Sequence, residues 1–284
     1  MPPVAHSRKI LVTAAVGGGD KPAFVRSLAQ LCHRVHESCW NTKQASNCSA
    51  QAPGAAQGHP LASFDHDRFE LVLFVYDGSD WRDVQEATAG VVTHVRGQMK
   101  WWYMKRFLLP AVVSPEVYDW VMILDEDAVF SPGFTAHGFF GSLSRLGMRL
   151  AQPSHEAVTH GRRLEDFLVA NPTLPEGFVG YRSNFVECGP VVAVHASVWP
   201  CVWELLQPDL VTGYGYDLVW SAACAADTTA VVHSHTIRHV DHRSASNKPN
   251  FWGKAVAEAV VLFDRLAPTL VPQAPRALGE LWLP

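Results

Sequence analysis

The chain has 284 residues, 48% hydrophobic and 18% charged, with a formal net charge of −4. That length and composition suit one sizeable globular core, so residues 1–284 are expected to form a single domain with trimmings. The balance is slightly acidic and no basic run is present, which argues against nucleic-acid binding through phosphate neutralisation.

The start, MPPVAHSRKI, lacks the apolar centre of a secretory signal. No segment approaches the roughly 20 apolar residues of a membrane span. As written the chain is expected to be soluble: cytoplasmic, or Golgi-associated if an anchor precedes it.

Lys9–Val16 is an apolar, β-branched run ending in Gly17-Gly18-Gly19. It reads as a buried strand followed by a loop with free backbone. From Pro22 to Trp40 the spacing of Phe24, Leu28, Leu31 and Val35 is helical. Residues 44–62 are Ala, Gln, Gly, Ser and Pro without a period, the composition of a flexible surface insert. Phe69–Tyr76 is a second buried strand, closed by Asp77-Gly78-Ser79-Asp80, where Ser79 or Asp80 can cap the next helix. Val91–Val95 is a short third strand and Gly97–Leu109 a helix stopped at Pro110. Tyr118–Leu124 is a fourth strand that runs directly into Asp125-Glu126-Asp127.

The second half is less regular. Phe185–His195 reads as a strand pair or one bent strand, and Ala196–Leu206 as a helix. Ala230–Val240 is a strand bearing several histidines, Lys254–Leu266 a closing amphipathic helix, and 267–284 a C-terminal tail. Strands alternating with helices imply an α/β fold with a mostly parallel central sheet covered on both faces. Ligands of such sheets sit at the carboxyl ends of the strands. Three polar groups fall there: the loop that opens at Gly17, Asp77, and the acidic triplet.

Asp125 and Asp127 stand two residues apart, a spacing that can turn both carboxylates the same way. Two close carboxylates repel unless a cation lies between them. Mg²⁺ or Mn²⁺ takes one or two carboxylates together with phosphate oxygens, which suits a nucleoside diphosphate. Glu126 is expected to face elsewhere. The same Asp-Glu-Asp-Ala-Val run also resembles the nucleophile loop of haloacid-dehalogenase-type phosphohydrolases, with Asp125 as nucleophile and Asp127 as general acid. A third alternative is a non-catalytic nucleotide- or sugar-binding module.

Longer segments carry a further resemblance. GQMKWWYMKRFLL (97–109), VMILDEDAVF (121–130), FVECGPVV (185–192), WPCVW (199–203), DLVTGYGYD (209–217) and VVHSHTIRH (231–239) resemble, in order, a plant and algal family. It is known as domain of unknown function 707 and is grouped with glycosyltransferase-like proteins of the GT-A fold. The resemblance implies a GT-A-like sandwich using a nucleoside diphosphate sugar donor and an unidentified glycan, lipid or protein acceptor. It further implies Mn²⁺ or Mg²⁺ at Asp125 and Asp127, completed by His239, and an acidic residue, Asp217, on the acceptor side.

Asp217 follows two glycines that permit a sharp turn; it can deprotonate an acceptor hydroxyl or simply cap the helix over Leu218–Ala225. His233, His235, His239 and His242 form a cluster. Alternation along a strand puts His233 and His235 on one face, and His239 with them if the strand is regular, so a zinc site is an alternative to His239 acting alone. Lys100 opens its helix beside the strand ends and can face a diphosphate. Trp101 can stack on a base or sugar or enter the core. Asp77 can hold a base or ribose or start its own turn. The six cysteines form no CxxC pair and are expected to be structural thiols, with Cys32, Cys39 and Cys48 the set placed to bridge if any bridge forms.

Overall fold

A computed structural model describes residues 7–19, 21–31, 67–156, 166–170, 173–240, 250–266, 270 and 273–283. The 44–62 insert and Cys32, Cys39 and Cys48 lie outside the described residues. The first half runs β1 (Lys9–Val16), α1 (Lys21–Leu31), β2 (Arg68–Val75), α2 (Arg82–Thr88), β3 (Val91–His94), α3 (Lys100–Phe107), β4 (Trp120–Asp125) and β5 (Ala128–Phe130). The second runs α4 (Ala136–Arg145), β6 (Leu150–His155), β7 (Phe178–Ser183), β8 (Val191–His195), α5 (Trp199–Leu205), α6 (Tyr216–Cys224), β9 (Thr229–His239), α7 (Phe251–Leu266) and β10 (Ala277–Trp282).

The ten strands of the described residues join one sheet in the order β10-β7-β9-β6-β8-β4-β1-β2-β3, with β5 added on β9. The block β3-β2-β1-β4 is parallel throughout. Strand β8 runs against both β4 and β6, so β6 and its parallel partner β9 share the direction of β4. Along the main path only β8 and β7 point the other way. The architecture is the expected α/β fold with a largely parallel central sheet.

Burial on both faces explains the uninterrupted apolar strands. On one side of the sheet Ile10, Val12 and Ala14 of β1 and Trp120, Met122 and Leu124 of β4 pack with Phe24, Phe139 and Phe140. On the other, Leu11, Val121 and Ile123 meet Tyr103, Trp199, Trp220 and Leu262. Successive side chains of each strand thus serve opposite cores.

Two expectations change. Cys201 of α5 and Cys224 of α6 form a disulfide with Cα atoms 5.6 Å apart, so these two are not free thiols. Their separation of 23 residues hides the pairing in sequence, because the packing of α5 against α6 creates it. Cys188 is free and buried. Within the 267–284 stretch, β10 is a strand paired antiparallel to β7.

Candidate metal and diphosphate site

The carboxyl ends of β1, β2, β4, β6 and β9 lie on one side of the sheet and bring together the loops or residues at Gly17, Asp77, Asp125, His155 and His239. Asp125 is the last residue of β4, and its amide donates to the carbonyl of Pro190 at 2.7 Å. Asp127 lies in the turn before β5. Strand β5 then pairs with β9 so that Ala128 is opposite His239. This register sets His239 Nε2 2.9 Å from Asp127 Oδ1. One ligand atom from each of Asp125, Asp127 and His239 lies within 4.8 Å of the others. Two carboxylates and an imidazole, all partly exposed, are a donor set that fits a hard divalent cation. Burial lowers the pKa of His239, but the hydrogen bond and charge of Asp127, then the charges of Asp125 and Glu187, outweigh it and raise the value.

Glu126 turns away from the pair, as its position between them implies. Its carboxylate accepts from the Gly17 amide and the Tyr76 hydroxyl. The Gly18 amide donates to Asp77 Oδ2 at 2.8 Å. The amides of Gly17 and Gly18 in the glycine loop are thus committed to carboxylates of the protein. Asp77 Oδ1 also accepts from the Ser79 amide and hydroxyl at 3.0 and 2.6 Å. Burial pushes the Asp77 carboxyl up, but these bonds together hold it below the usual value.

Lys100, the first residue of α3, reaches the acidic pair. Its Nζ donates to Asp125 Oδ1 at 2.6 Å and to the Cys188 carbonyl at 3.0 Å. It also sits 4.6 Å from the centroid of the Trp101 ring. Trp101 itself is 3% exposed and meets Tyr216 and Trp220 edge-on, so its ring is a core element that supports the lysine and offers no open face for stacking on a base. The loop closing over the ion pair needs glycine. A Cβ on Gly189 would lie 2.5 Å from Asp125 Oδ2 and 3.3 Å from Lys100 Nζ.

Asp217 stands in the first turn of α6, whose cap is Gly215, so it does not cap the helix itself. Its Oδ1 is buried and has no hydrogen-bond partner among the described residues. Burial, and then the charge of Glu187, pushes the carboxyl up to about 7 despite backbone hydrogen bonds that oppose the shift. An acidic group of that kind titrates near neutrality and suits proton transfer.

Among the described residues the other histidines of the cluster, His233 and His235, do not join the metal set, and His242 lies outside the described residues. Strand β9 loses register with β6 between the pairs Pro153–Val232 and Ser154–Thr236, so it is not regular through His233 and His235. His233 bonds the Phe167 carbonyl at 2.7 Å, and His235 lies against Phe134 and Phe139, its pKa lowered by burial to about 4. A shared histidine site is therefore not built. The structure adds Glu187, which sequence reasoning passed over. Its carboxylate meets buried His155 at 2.8 Å, and its amide donates to the side chain of Gln152. Its one sequence signal is an acidic residue inside the otherwise apolar 185–194 stretch.

Residues 33–167 and 180–260 match the family described as "Protein of unknown function (DUF707)". The chain belongs to the DUF707 family. No curated protein matches this DUF707 chain in sequence. Among solved structures it is similar to S. aureus TarS 1-349, with a TM-score of 0.49 and 10% identity, covering 93% of this chain and 67% of that one. The complex of TarS 1-349 with UDP-GlcNAc gives a TM-score of 0.46 at 10% identity, over 93% and 68%. The 4-diphosphocytidyl-2C-methyl-D-erythritol synthase of Anaerococcus prevotii DSM 20548 gives 0.38 at 12%, over 91% and 99%. At such distances these similarities assign no activity to the DUF707 chain. No helix among its described residues is long and apolar enough to cross a membrane.

Proposed function

We propose that this protein is a metal-dependent glycosyltransferase that moves a sugar from a nucleoside diphosphate sugar to an acceptor. The observation that carries the reading is the meeting of Asp125, Asp127 and His239 within 4.8 Å at the carboxyl ends of β4 and β9. These three would hold Mn²⁺ or Mg²⁺, which when bound neutralises the charge developing on a diphosphate leaving group.

The rest falls to the chain's own groups. Lys100, 13% exposed at its side chain, supplies a fixed positive charge beside the carboxylates. Asp217, poised near neutral pH, accepts the proton of an acceptor hydroxyl as the new bond forms. Its proton affinity comes from burial first and the charge of Glu187 second, so a substrate that excludes water from the carboxyl strengthens it as a base. Asp77 and the Gly17 loop shape the donor side, with Gly17 and Gly18 holding the loop against Glu126 and Asp77.

The test is thermal melting with a panel of nucleoside diphosphates and nucleotide sugars, each with and without Mn²⁺. A ligand at about 100 times its dissociation constant adds roughly 2.7 kcal/mol. The expected result is a metal-dependent rise with one base, absent in Asp125→Ala and Asp127→Ala. No rise with any nucleotide would overturn the reading. Phosphate release from a simple phosphate ester, lost in Asp125→Asn, would replace it with the phosphohydrolase.

A further inference from the structure

Both carboxylates of the acidic pair already have partners. Lys100 Nζ lies 2.6 Å from Asp125 Oδ1, and His239 Nε2 lies 2.9 Å from Asp127 Oδ1. The lysine is held from three sides: by the Asp125 carboxylate, by the Cys188 carbonyl at 3.0 Å, and by the Trp101 ring at 4.6 Å. Its side chain is 13% exposed and that of Asp125 30% exposed. The absence of a side chain at Gly189 lets the backbone close on the pair, since a Cβ there would meet both Asp125 Oδ2 and Lys100 Nζ. Lys100 is thus built into the floor of the site.

A divalent cation coordinated by Asp125 has to share one carboxylate with an ammonium in hydrogen-bond contact with it. Like charges held that close in a partly buried setting repel strongly. A diphosphate brings the negative charge that makes both cations welcome, and a lysine is a ready point-charge partner for phosphate oxygens.

Resting on the reading of this site as a metal and diphosphate site, we propose that Lys100 is its resident counter-cation and makes divalent metal and diphosphate bind as a pair. Metal alone competes with the ammonium for Asp125. Diphosphate relieves the competition by giving Lys100 a second anionic partner. Coupling of this kind is reciprocal, so each ligand tightens the other by the same factor.

The experiment measures Mn²⁺ binding by electron paramagnetic resonance of the free ion, on the intact chain, with and without inorganic pyrophosphate, correcting for the pyrophosphate–Mn²⁺ complex. Wild type is expected to bind Mn²⁺ weakly alone and at least tenfold more tightly with pyrophosphate. Lys100→Met is expected to bind Mn²⁺ alone at least tenfold more tightly than wild type and to lose most of the pyrophosphate enhancement. Lys100→Arg, which keeps the charge, should bind Mn²⁺ alone no more tightly than wild type, and Lys100→Gln provides a second neutral variant if Lys100→Met does not fold. Asp127→Ala should abolish Mn²⁺ binding in every background. Equal Mn²⁺ affinity in wild type and the neutral variants, with Asp127→Ala still blocking it, would overturn the role of Lys100 and leave the metal site standing. No Mn²⁺ binding by any form, with or without pyrophosphate, would remove both.

Discussion

The indole of Trp101 occupies the space that a side chain on Gly213 would need: a Cβ there would lie 1.9 Å from Trp101 Cδ1. Gly213 also has φ of +68°, a conformation that side chains disfavour. The contact locks α3, which begins with Lys100, to the loop that leads into α6 and Asp217. Gly213→Ala is expected to cost about 2–4 kcal/mol, from overpacking and left-handed backbone together. Urea unfolding checks it, and a change below about 1 kcal/mol would mean that the loop swings away freely.

Gly189→Ala is expected to act on the site with less effect on the fold. The added methyl pushes on Asp125 Oδ2 and Lys100 Nζ. Metal-dependent nucleotide stabilisation should fall by at least tenfold in affinity, while the melting temperature without ligand changes less than in Gly213→Ala. The melting panel reads both quantities. Unchanged ligand response would show that the 184–190 loop yields at no cost to the ion pair.

Asp217 predicts a pH dependence. Its carboxyl is raised from an ordinary 3.8 to about 7 in the folded chain, so the folded state holds the proton more tightly than the unfolded one. Its contribution to stability is therefore fully present below about pH 4, declines as pH rises, and is lost above about pH 7. Asp217→Asn keeps the shape without the charge. It should match wild type near pH 4 and exceed it at pH 8 by about 1–3 kcal/mol. The same variant should lose at least about 100-fold in transfer rate while donor binding persists. Parallel stability curves for the two proteins would remove the burial argument, and unchanged transfer would remove Asp217 as the base.

The Cys201–Cys224 bridge closes a loop of 23 residues. A loop of that size stabilises by about 3 kcal/mol in the chain-entropy picture. Cys201→Ser with Cys224→Ser, or reduction of the wild type, should lower the melting temperature by several degrees. Thiol counting on the unfolded, unreduced protein gives an independent check, since these two cysteines should fail to react.

The parallel half of the fold was legible because its strands are buried on both faces and so read as apolar runs. Lys9–Val16 was read with the bounds it has in the structure. The acidic pair was legible for the same reason, since a run ending in two carboxylates has to end at the edge of a core. Strand β6 was missed because Pro153 interrupts it. The structure tolerates that proline because β8 pairs only with Leu150 and Ala151 and the β9 register shifts immediately after it. Trp101 could be read as a stacking platform or as core, and only tertiary packing against Tyr216 and Trp220 decides between them. Glu187 was missed because its partners, His155 and Gln152, come from a strand more than 30 residues away.

The two borders that the sheet has among the described residues bear on how the molecule behaves in company. At one border β3 is only four residues long. At the other, β10 slips register twice along β7. A straight, long outer strand invites a neighbour to add its own strand, whereas a short one and an irregular one make poor templates. Concentrated solutions of the folded protein should accordingly resist growth of one sheet onto the next, even though most of the chain's strands are as apolar as those that drive such growth when they become exposed.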